Sequence, residues 1–504
     1  MIHSVTPQQI KETLHARGIC VVIPTYNNAT TVGQVVEACK EYCQDVIVVN
    51  DGSTDGTSAV LAGIQDIMVL TYGRNRGKGY ALKTAFRHAR HAGFAYCITM
   101  DADGQHYAED IVTLLAANRR HPGALIVGTR KMDGTEQSSG SRFANRFANF
   151  WFWVQTGRWV SDTQSGYRLY PLKKHYALPF VTNRYEAELE LMVFASWHGV
   201  RIHEEEVNVY YPPADERVSH FRPGKDFARI SLMNTILCVL AVAYGLPLRL
   251  FRWMLKWLRT VYSALFFGFF SIFVLTPLVV CYVKFGKKDP EKKQRRIHGL
   301  IHWVSRFVMM RHGIPGTRFR FKKTDESEDF SRPAVIICNH QSHLDLMCQL
   351  VFSPKMIFLT NDWVWKNPFY GAIIRNAEYY PVSDGLEALL PKLRSLVERG
   401  YSIAVFPEGT RSKDCSVGRF HQGAFYLAEQ LGLDILPMCL YGPGKVLPKG
   451  VHHLNKGPIY IEVGKRVGHA ELERLGSLRE QASWFRQAYI RKYEEISNRI
   501  EQDV

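Results

Sequence analysis

The 504-residue sequence predicts an α/β fold in two domains, with hydrophobic, membrane-associated helices between them. Three observations carry this. Short apolar runs alternate with helical patterns over the first 120 residues, two charge-free stretches follow, and the alternation resumes near residue 334. A chain of this length exceeds what one hydrophobic core usually supports, so two or three domains are expected.

In the front part, "CVVIPTY" (20–26), "DVIVVN" (45–50), "IMVLTY" (67–72) and "YCITMD" (96–101) have the length and composition of buried parallel strands. Helical patterns near 31–43, 79–92 and 108–120 separate them. This βαβα order predicts a doubly wound sheet that binds its ligands at the carboxyl ends of the strands. The middle begins with residues 230–248, which carry no charge. Next, "RLFRWMLKWLRT" (249–260) puts Arg252, Lys256 and Arg259 on one helical face and Leu250, Trp253, Met254 and Trp257 on the other. Residues 261–283 are again uncharged, and 23 residues suffice to cross a bilayer. Two full spans would strand Arg249, Arg252, Lys256 and Arg259 on the far side, against the positive-inside tendency. One span would separate the two domains across the membrane. The expected arrangement is therefore monotopic or re-entrant, with 249–260 flat on an anionic membrane. In the rear part, "AVIICN" (334–339), "SIAVFP" (402–407) and "DILPMCLY" (434–441) read as strands, and a polar amphipathic helix follows from about 469. The expected domains are 1–228, a helical linker 229–299, 300–468, and a helical tail 469–504.

The net charge of +16 favours an anionic partner. Paired zinc ligands and RNA-binding aromatic runs are missing, which points to membrane and phosphate and away from nucleic acid. Ten cysteines without a C-x-x-C pair suit a reducing compartment. The first residues are too polar for a signal peptide.

"MDADGQH" (100–106) closes a predicted strand, with Asp101 and Asp103 directed to one side. Two such carboxylates repel unless a cation joins them, and Mg²⁺ or Mn²⁺ suits hard oxygen ligands completed by diphosphate and water. Gln105 keeps the same spacing; an ordinary Asp-rich turn gives the same letters. Asp51 in "VVNDGSTDGT" is suited to a ribose or base edge. "GRNRGKGYAL" (73–82) gathers Arg74, Arg76 and Lys78 at a helix start, without P-loop spacing. In the rear, "CNHQSHLD" (338–345) sets His340 and Asp345 five apart. On a continuous helix that is about 140°, so only a loop at His340 running into a helix lets the carboxylate fix the imidazole tautomer. Ser342-x-x-Asp345 also reads as a helix capping box, and His343 is a rival histidine. "FPEGTRS" (406–412) offers a nest of backbone amides for an anion.

"VVIPTYNN", "NDGSTDGT", "NRGKGYAL", "DADGQH", "VGTR" and "SDTQSGYRLY", in that order over residues 18–228, resemble the GT-A inverting glycosyltransferases of the dolichyl-phosphate mannose synthase type. The resemblance implies that Pro24, Tyr26 and Asp51 hold the nucleotide, with Lys78, Asp101 and Arg130 also on the nucleotide-sugar. It assigns Asp101, Asp103 and Gln105 to metal and diphosphate. Asn28 and Asn50 stand where the family usually or often has an acid. A lipid-phosphate acceptor needs no base, whereas a lipid hydroxyl does. Asp162 is the candidate base, with Glu186 and Glu188 behind it, and Arg222 and Lys225 are candidates for an acceptor phosphate. "NHQSHLD", "GAIIRNAEYYPV", "FPEGTRS" and "ILPMCLYG" over about 300–465 resemble the glycerolipid acyltransferases of the lysophosphatidate acyltransferase type. This implies that His340 is the base and Asp345 its partner. Gly409, Thr410 and Arg411 would bind the acceptor phosphate, Glu408 would order their loop, and Arg375 would add charge.

Together these imply a bifunctional enzyme of bacterial glycolipid assembly on the cytoplasmic face of the inner membrane. It would move a sugar from a nucleotide-sugar to a lipid acceptor, and an acyl group from acyl-CoA or acyl-carrier protein to a hydroxyl. The alternatives are a polyprenyl-phosphate glycosyltransferase fused to an independent lysophospholipid acyltransferase, or a membrane scaffold with one inactive domain.

Overall fold

The computed structural model describes residues 6–130, 139–172, 181–210, 223–285, 289–366 and 371–503. The chain forms two compact units, residues 1–252 and 253–500.

The front unit holds a seven-stranded sheet of β1 (Ile19–Thr25), β2 (Val46–Asn50), β3 (Met68–Thr71), β4 (Tyr96–Thr99), β5 (Leu125–Arg130), β6 (Arg168–Pro171) and β7 (Ile202–Val207). Their order is β3-β2-β1-β4-β6-β5-β7. Strands β1 to β4 run parallel, and β6 is antiparallel to both β4 and β5. Along β1, Ile19, Val21 and Ile23 enter one core, while Cys20 and Val22 enter the other. Burial on both faces is why this strand reads as an unbroken apolar run. Chain order reverses around β1, between β2 and β4, so the ends of β1, β2 and β4 open on one crevice.

The middle is one helical run. Pro223–Leu240, Leu246–Phe269 and Thr276–Phe285 are joined by π-helical turns at Ala241–Gly245 and Phe270–Leu275. Each π turn immediately precedes a proline at the second position of the next segment, Pro247 or Pro277. A proline lacks the N–H for the i−4 bond and its ring crowds that carbonyl, which a widened turn relieves. The apolar stretch from Ala228 to Tyr282 is 55 residues and mostly exposed.

Three basic residues of the expected flat helix donate to protein. Arg249 Nη1 donates to Thr156 O (2.6 Å) and Arg252 Nη1 to Trp197 O (2.7 Å) in the front unit. In the rear unit, Arg259 Nη1 donates to Leu454 O (3.1 Å). These arginines make charge-assisted hydrogen bonds to protein carbonyls. Leu250, Trp253, Met254, Leu258 and Leu265 are exposed, Leu265 at 69%.

The rear unit has its own seven-stranded sheet: β8 (Thr317–Lys323), β9 (Val335–Cys338), β10 (Met356–Thr360), β11 (Tyr380–Pro381), β12 (Ser402–Val405), β13 (Ile435–Tyr441) and β14 (Gly457–Val463). The order is β11-β10-β12-β9-β13-β14-β8, with only the β13–β14 pairing antiparallel. The terminal helix Leu478–Asp503 is part of this core: Phe485, Tyr489 and Ile496 are buried, and Tyr489 OH donates to Ile337 O of β9 (2.7 Å).

Candidate active sites

At the front, Asp51 directly follows β2 and is buried. Its Oδ1 accepts from Arg76 N (2.8 Å) and its Oδ2 from Gly77 N (2.7 Å). It thereby pins the loop that starts the helix Lys78–His91. Burial raises its carboxyl above the usual aspartate range, against the pull of those two amides. Asn50, in place of an acid, accepts from Ser53 N (3.1 Å) and donates to Ser58 Oγ (2.9 Å), closing the same turn. Asn28 Nδ2 donates to Thr25 Oγ1 (3.3 Å). Pro24 lies within β1, and the partly buried Tyr26 follows its end.

Asp101 and Asp103 follow β4. Asp103 Oδ1 accepts from Gln105 N (3.0 Å), and Gln105 O accepts from Tyr210 N (2.8 Å). Burial and the charge of Asp101 push the Asp103 carboxyl up to about 6. Burial also opposes ionisation of Asp101, but Lys78 outweighs it and holds that carboxyl below the usual range. Lys78 Nζ lies 2.6 Å from Asp101 Oδ1 and 3.0 Å from Glu188 Oε2. Burial works against the ammonium, yet the two carboxylates raise it above the ordinary lysine range. Nearby His106 is kept neutral by burial, its pKa lowered to about 4.

Asp162 is not placed as a base. It is fully buried, and Arg130 grips it through Nε to Oδ2 (2.7 Å) and Nη2 to Oδ1 (2.9 Å). Oδ1 also accepts from Gln164 N (3.1 Å) and Ser165 N (3.2 Å). Burial raises its carboxyl, but Arg130 prevails and holds it below the usual range, which disfavours proton uptake. The pairing fixes the direction of the Arg130 guanidinium. The same region buries Arg168, which the sequence reading passed over: its Nη1 donates to Tyr170 OH (3.0 Å) and Glu188 O (3.1 Å), its Nη2 to Thr163 O (2.8 Å). A charged residue opening the short apolar strand "RLYP" was the available signal. Glu186 is partly exposed in the first turn of the helix Glu186–Trp197. Arg222 and the Lys225 side chain lie outside the described residues.

At the rear, β9 ends at Cys338, and Asn339 ties the next turn to β13 by donating to Leu440 O (2.9 Å) and accepting from Leu440 N (2.7 Å). A loop carries His340 into the helix Asp345–Leu350. His340 Nδ1 lies 2.8 Å from Asp345 Oδ2, which also accepts from Gln341 N (2.6 Å) and Ser342 N (2.8 Å). Only that half of the capping box forms: Ser342 Oγ accepts from Leu344 N (3.3 Å) instead of Asp345 N, and donates to Leu447 O (2.9 Å). The imidazole stacks on Phe406, centroids 4.0 Å apart. Asp345 is buried and His340 is partly exposed, so the pair presents one polar edge outward.

Glu408 follows β12. Its Oε1 accepts from His340 N and its Oε2 from Gly418 N, both at 2.9 Å. Burial raises its carboxyl, with the amides opposing. Ser412 N donates to His340 O (2.8 Å), which brings Gly409, Thr410 and Arg411 to the histidine turn. Burial, then the charges of Arg411 and His340, depress the His343 imidazole. Arg375 is exposed and donates to Trp365 O (2.7 Å). Lys449, absent from every motif above, donates to Thr410 Oγ1 (3.0 Å) and Arg411 O (2.8 Å).

Comparison with known proteins fits both units. A family model described as glycosyl transferase family 2 matches residues 20–176, and one described as acyltransferase matches 318–441. An uncharacterized protein of Methanocaldococcus jannaschii is 31% identical over 199 residues, covering 38% of this chain and 82% of that protein. The UDP-N-acetylglucosamine–dolichyl-phosphate N-acetylglucosaminyltransferase of Methanococcus voltae is 25% identical, covering 38% of this chain and 86% of its own length. The chloroplastic 1-acyl-sn-glycerol-3-phosphate acyltransferase LPAT1 of Arabidopsis thaliana is 26% identical over 42% of this chain, which spans 59% of that relative. Among solved structures, the 1-acyl-sn-glycerophosphate acyltransferase of Thermotoga maritima is 23% identical, with a TM-score of 0.41 over 49% of this chain and 98% of its own. A glucosyl-3-phosphoglycerate synthase of Mycobacterium tuberculosis, solved with Mn²⁺ and UDP, is 18% identical, with a TM-score of 0.36 over 47% of this chain and 85% of its own. The sequence is thus a fusion, a family 2 glycosyl transferase domain in front and a glycerolipid-type acyltransferase domain behind.

Proposed function

We propose that the front unit transfers a sugar from a nucleotide-sugar to a lipid acceptor. The rear unit transfers an acyl group from acyl-CoA or acyl-carrier protein to a hydroxyl, both at a membrane surface in bacterial glycolipid assembly. The observation that carries this is the presence of two separately built sites in one chain: the Asp101–Asp103 pair with Lys78, and the His340–Asp345 couple at 2.8 Å.

In the rear unit, Asp345 holds the tautomer with its proton on Nδ1, leaving Nε2 of His340 to take the proton of the attacking hydroxyl. The loop of Gly409, Thr410 and Arg411 supplies positive charge for an acceptor phosphate, and Glu408 braces it from behind.

In the front unit, the donor set suits Mg²⁺ or Mn²⁺. Asp103 is raised to about 6 by burial and by the second carboxylate, Asp101, and a hard dication relieves the repulsion between the two. Among the described residues no group of three or more His, Cys, Asp or Glu gathers for a metal, so the remaining ligands would be diphosphate oxygens and water. Bound there, the ion would neutralise charge on the departing diphosphate. Arg130 adds a cation whose direction Asp162 sets, and inversion follows from attack on the opposite face. Because Asp162 is occupied, a second reading gains weight: the acceptor is a lipid phosphate, already ionised and in no need of a base.

The long exposed apolar helix supports membrane attachment, proposed as monotopic on the cytoplasmic face of the inner membrane. The test uses purified full-length protein with labelled sugar nucleotides, acyl donors and a lipid extract. Asp103→Ala should abolish sugar transfer alone, and His340→Ala acyl transfer alone. Both activities surviving in both variants would remove the assignment.

A further inference from the structure

Lys78 sits where an incoming dication would have to act. Its Nζ covers Asp101 Oδ1 at 2.6 Å. The other side of that carboxylate is closed by backbone, since a Cβ on Gly166 would fall 2.4 Å from Asp101 Oδ2. Glu188, the second partner of the ammonium, is buried, and its Oε1 has no hydrogen-bond partner. An unpaired carboxylate oxygen is costly to bury. Here it belongs to the same carboxylate that already holds Lys78 through Oε2 at 3.0 Å.

We infer that Lys78 is an internal counter-cation that guards Asp101 until a metal ion arrives, and then withdraws onto both oxygens of Glu188. The inference rests on the metal-dependent sugar-transfer reading. Its logic is charge balance. Without Lys78, Asp101 and Glu188 would keep only the weaker compensation of the buried Arg168, with Asp103 adding to the negative charge. With a dication on Asp101 and the ammonium still in place, like charges would meet in a partly buried site, where repulsion is less screened than in water. Withdrawal onto Glu188 leaves a neutral Lys–Glu pair beside the metal and fills the orphaned Oε1. The site is thus kept from collapsing while empty, at the cost of a competitor for the ion. Lys78 acts as a positioning residue, through Asp101.

The test is Mn²⁺ binding to the full chain without nucleotide, read by the electron paramagnetic resonance of free Mn²⁺. Lys78→Met should tighten Mn²⁺ binding by about tenfold or more, because the competing charge is gone. Lys78→Arg should stay near wild type. Glu188→Gln should weaken binding by a similar factor, since the ammonium loses its second carboxylate and stays on Asp101. Circular dichroism checks that each variant is folded, and Lys78→Gln replaces Lys78→Met if that variant is not. Equal or weaker Mn²⁺ binding on loss of the Lys78 charge overturns the inference, because a purely structural lysine would leave affinity unchanged or damage the site. A wild-type chain that takes up no Mn²⁺, even with inorganic pyrophosphate, overturns the metal reading itself, so the two failures are distinguishable.

Discussion

Lys449 performs at the rear site a task that no motif announces. By donating to Thr410 Oγ1 and Arg411 O, it fixes the two residues proposed to meet an acceptor phosphate and adds its own charge beside them. Lys449→Met should raise KM for the acyl acceptor about tenfold while kcat stays within about twofold, with Lys449→Arg restoring most of the loss. Steady-state kinetics against acceptor concentration decides it; a fall in kcat at unchanged KM would place the lysine elsewhere in the reaction. What could be read at this scale depended on distance along the chain. His340 and Asp345 are five apart, and a helix that begins at Asp345 was enough to infer how they meet. Lys449 and Thr410 are 39 apart, and Arg130 and Asp162 are 32 apart. Nothing local says that Arg130 already claims the carboxylate that looked free to act as a base.

Most strands written as apolar runs were legible, the edge strand β3 among them, and strands without such a run were not. "CVVIPTY" and "DVIVVN" became β1 and β2 within a residue or so, because a strand between two helical layers is apolar at every position. β8, "TRFRFKK", is an edge strand with alternating basic residues, and β6, "RLYP", is four residues long; neither makes an apolar run. The middle helix was legible as greasy but not as continuous, because the charged stretch 249–260 separates its two uncharged stretches, while the helix itself runs on through π turns. The first of these turns also seats the helix. Gly245 packs on the buried Trp197, whose Nε1 donates to Gln155 O (2.8 Å), and a Cβ at Gly245 would fall 2.7 Å from the indole. Gly245→Val should therefore destabilise the front unit by about 1–3 kcal/mol. Thermal unfolding of the full chain should show an earlier transition that removes sugar transfer before acyl transfer. An unchanged melting profile would mean that the helix yields there at no cost.

At the scale of the whole molecule, the proposed attachment to lipid would divide between two surfaces with different physics. The run from Ala228 to Tyr282 extends about 80 Å at helical rise, far more than the ~30 Å hydrocarbon core, so only part of it can cross a bilayer upright. With Arg249, Arg252 and Arg259 turned to protein carbonyls, its exposed side is apolar around Leu250, Trp253, Met254, Leu258 and Leu265. Arg249 and Lys256 remain exposed cations on the run itself, and more follow where the helix Pro290–Phe307 presents Lys292, Arg295 and Arg296. Burial of apolar area is indifferent to salt, whereas attraction to anionic headgroups decays within a Debye length. Binding to neutral phosphatidylcholine vesicles should therefore persist at about 0.5 M salt, and anionic phosphatidylglycerol should add an increment that such salt removes. Leu258→Asp with Leu265→Asp should weaken binding to both vesicles by at least about tenfold, because each charge is costly in hydrocarbon. Lys292→Glu, Arg295→Glu and Arg296→Glu together should erase only the anionic increment. Vesicle sedimentation separates the outcomes. Unchanged binding of the aspartate variants would mean that protein, not lipid, covers the apolar side. Loss of all binding in the glutamate variants would make charge the anchor and the helix a bystander.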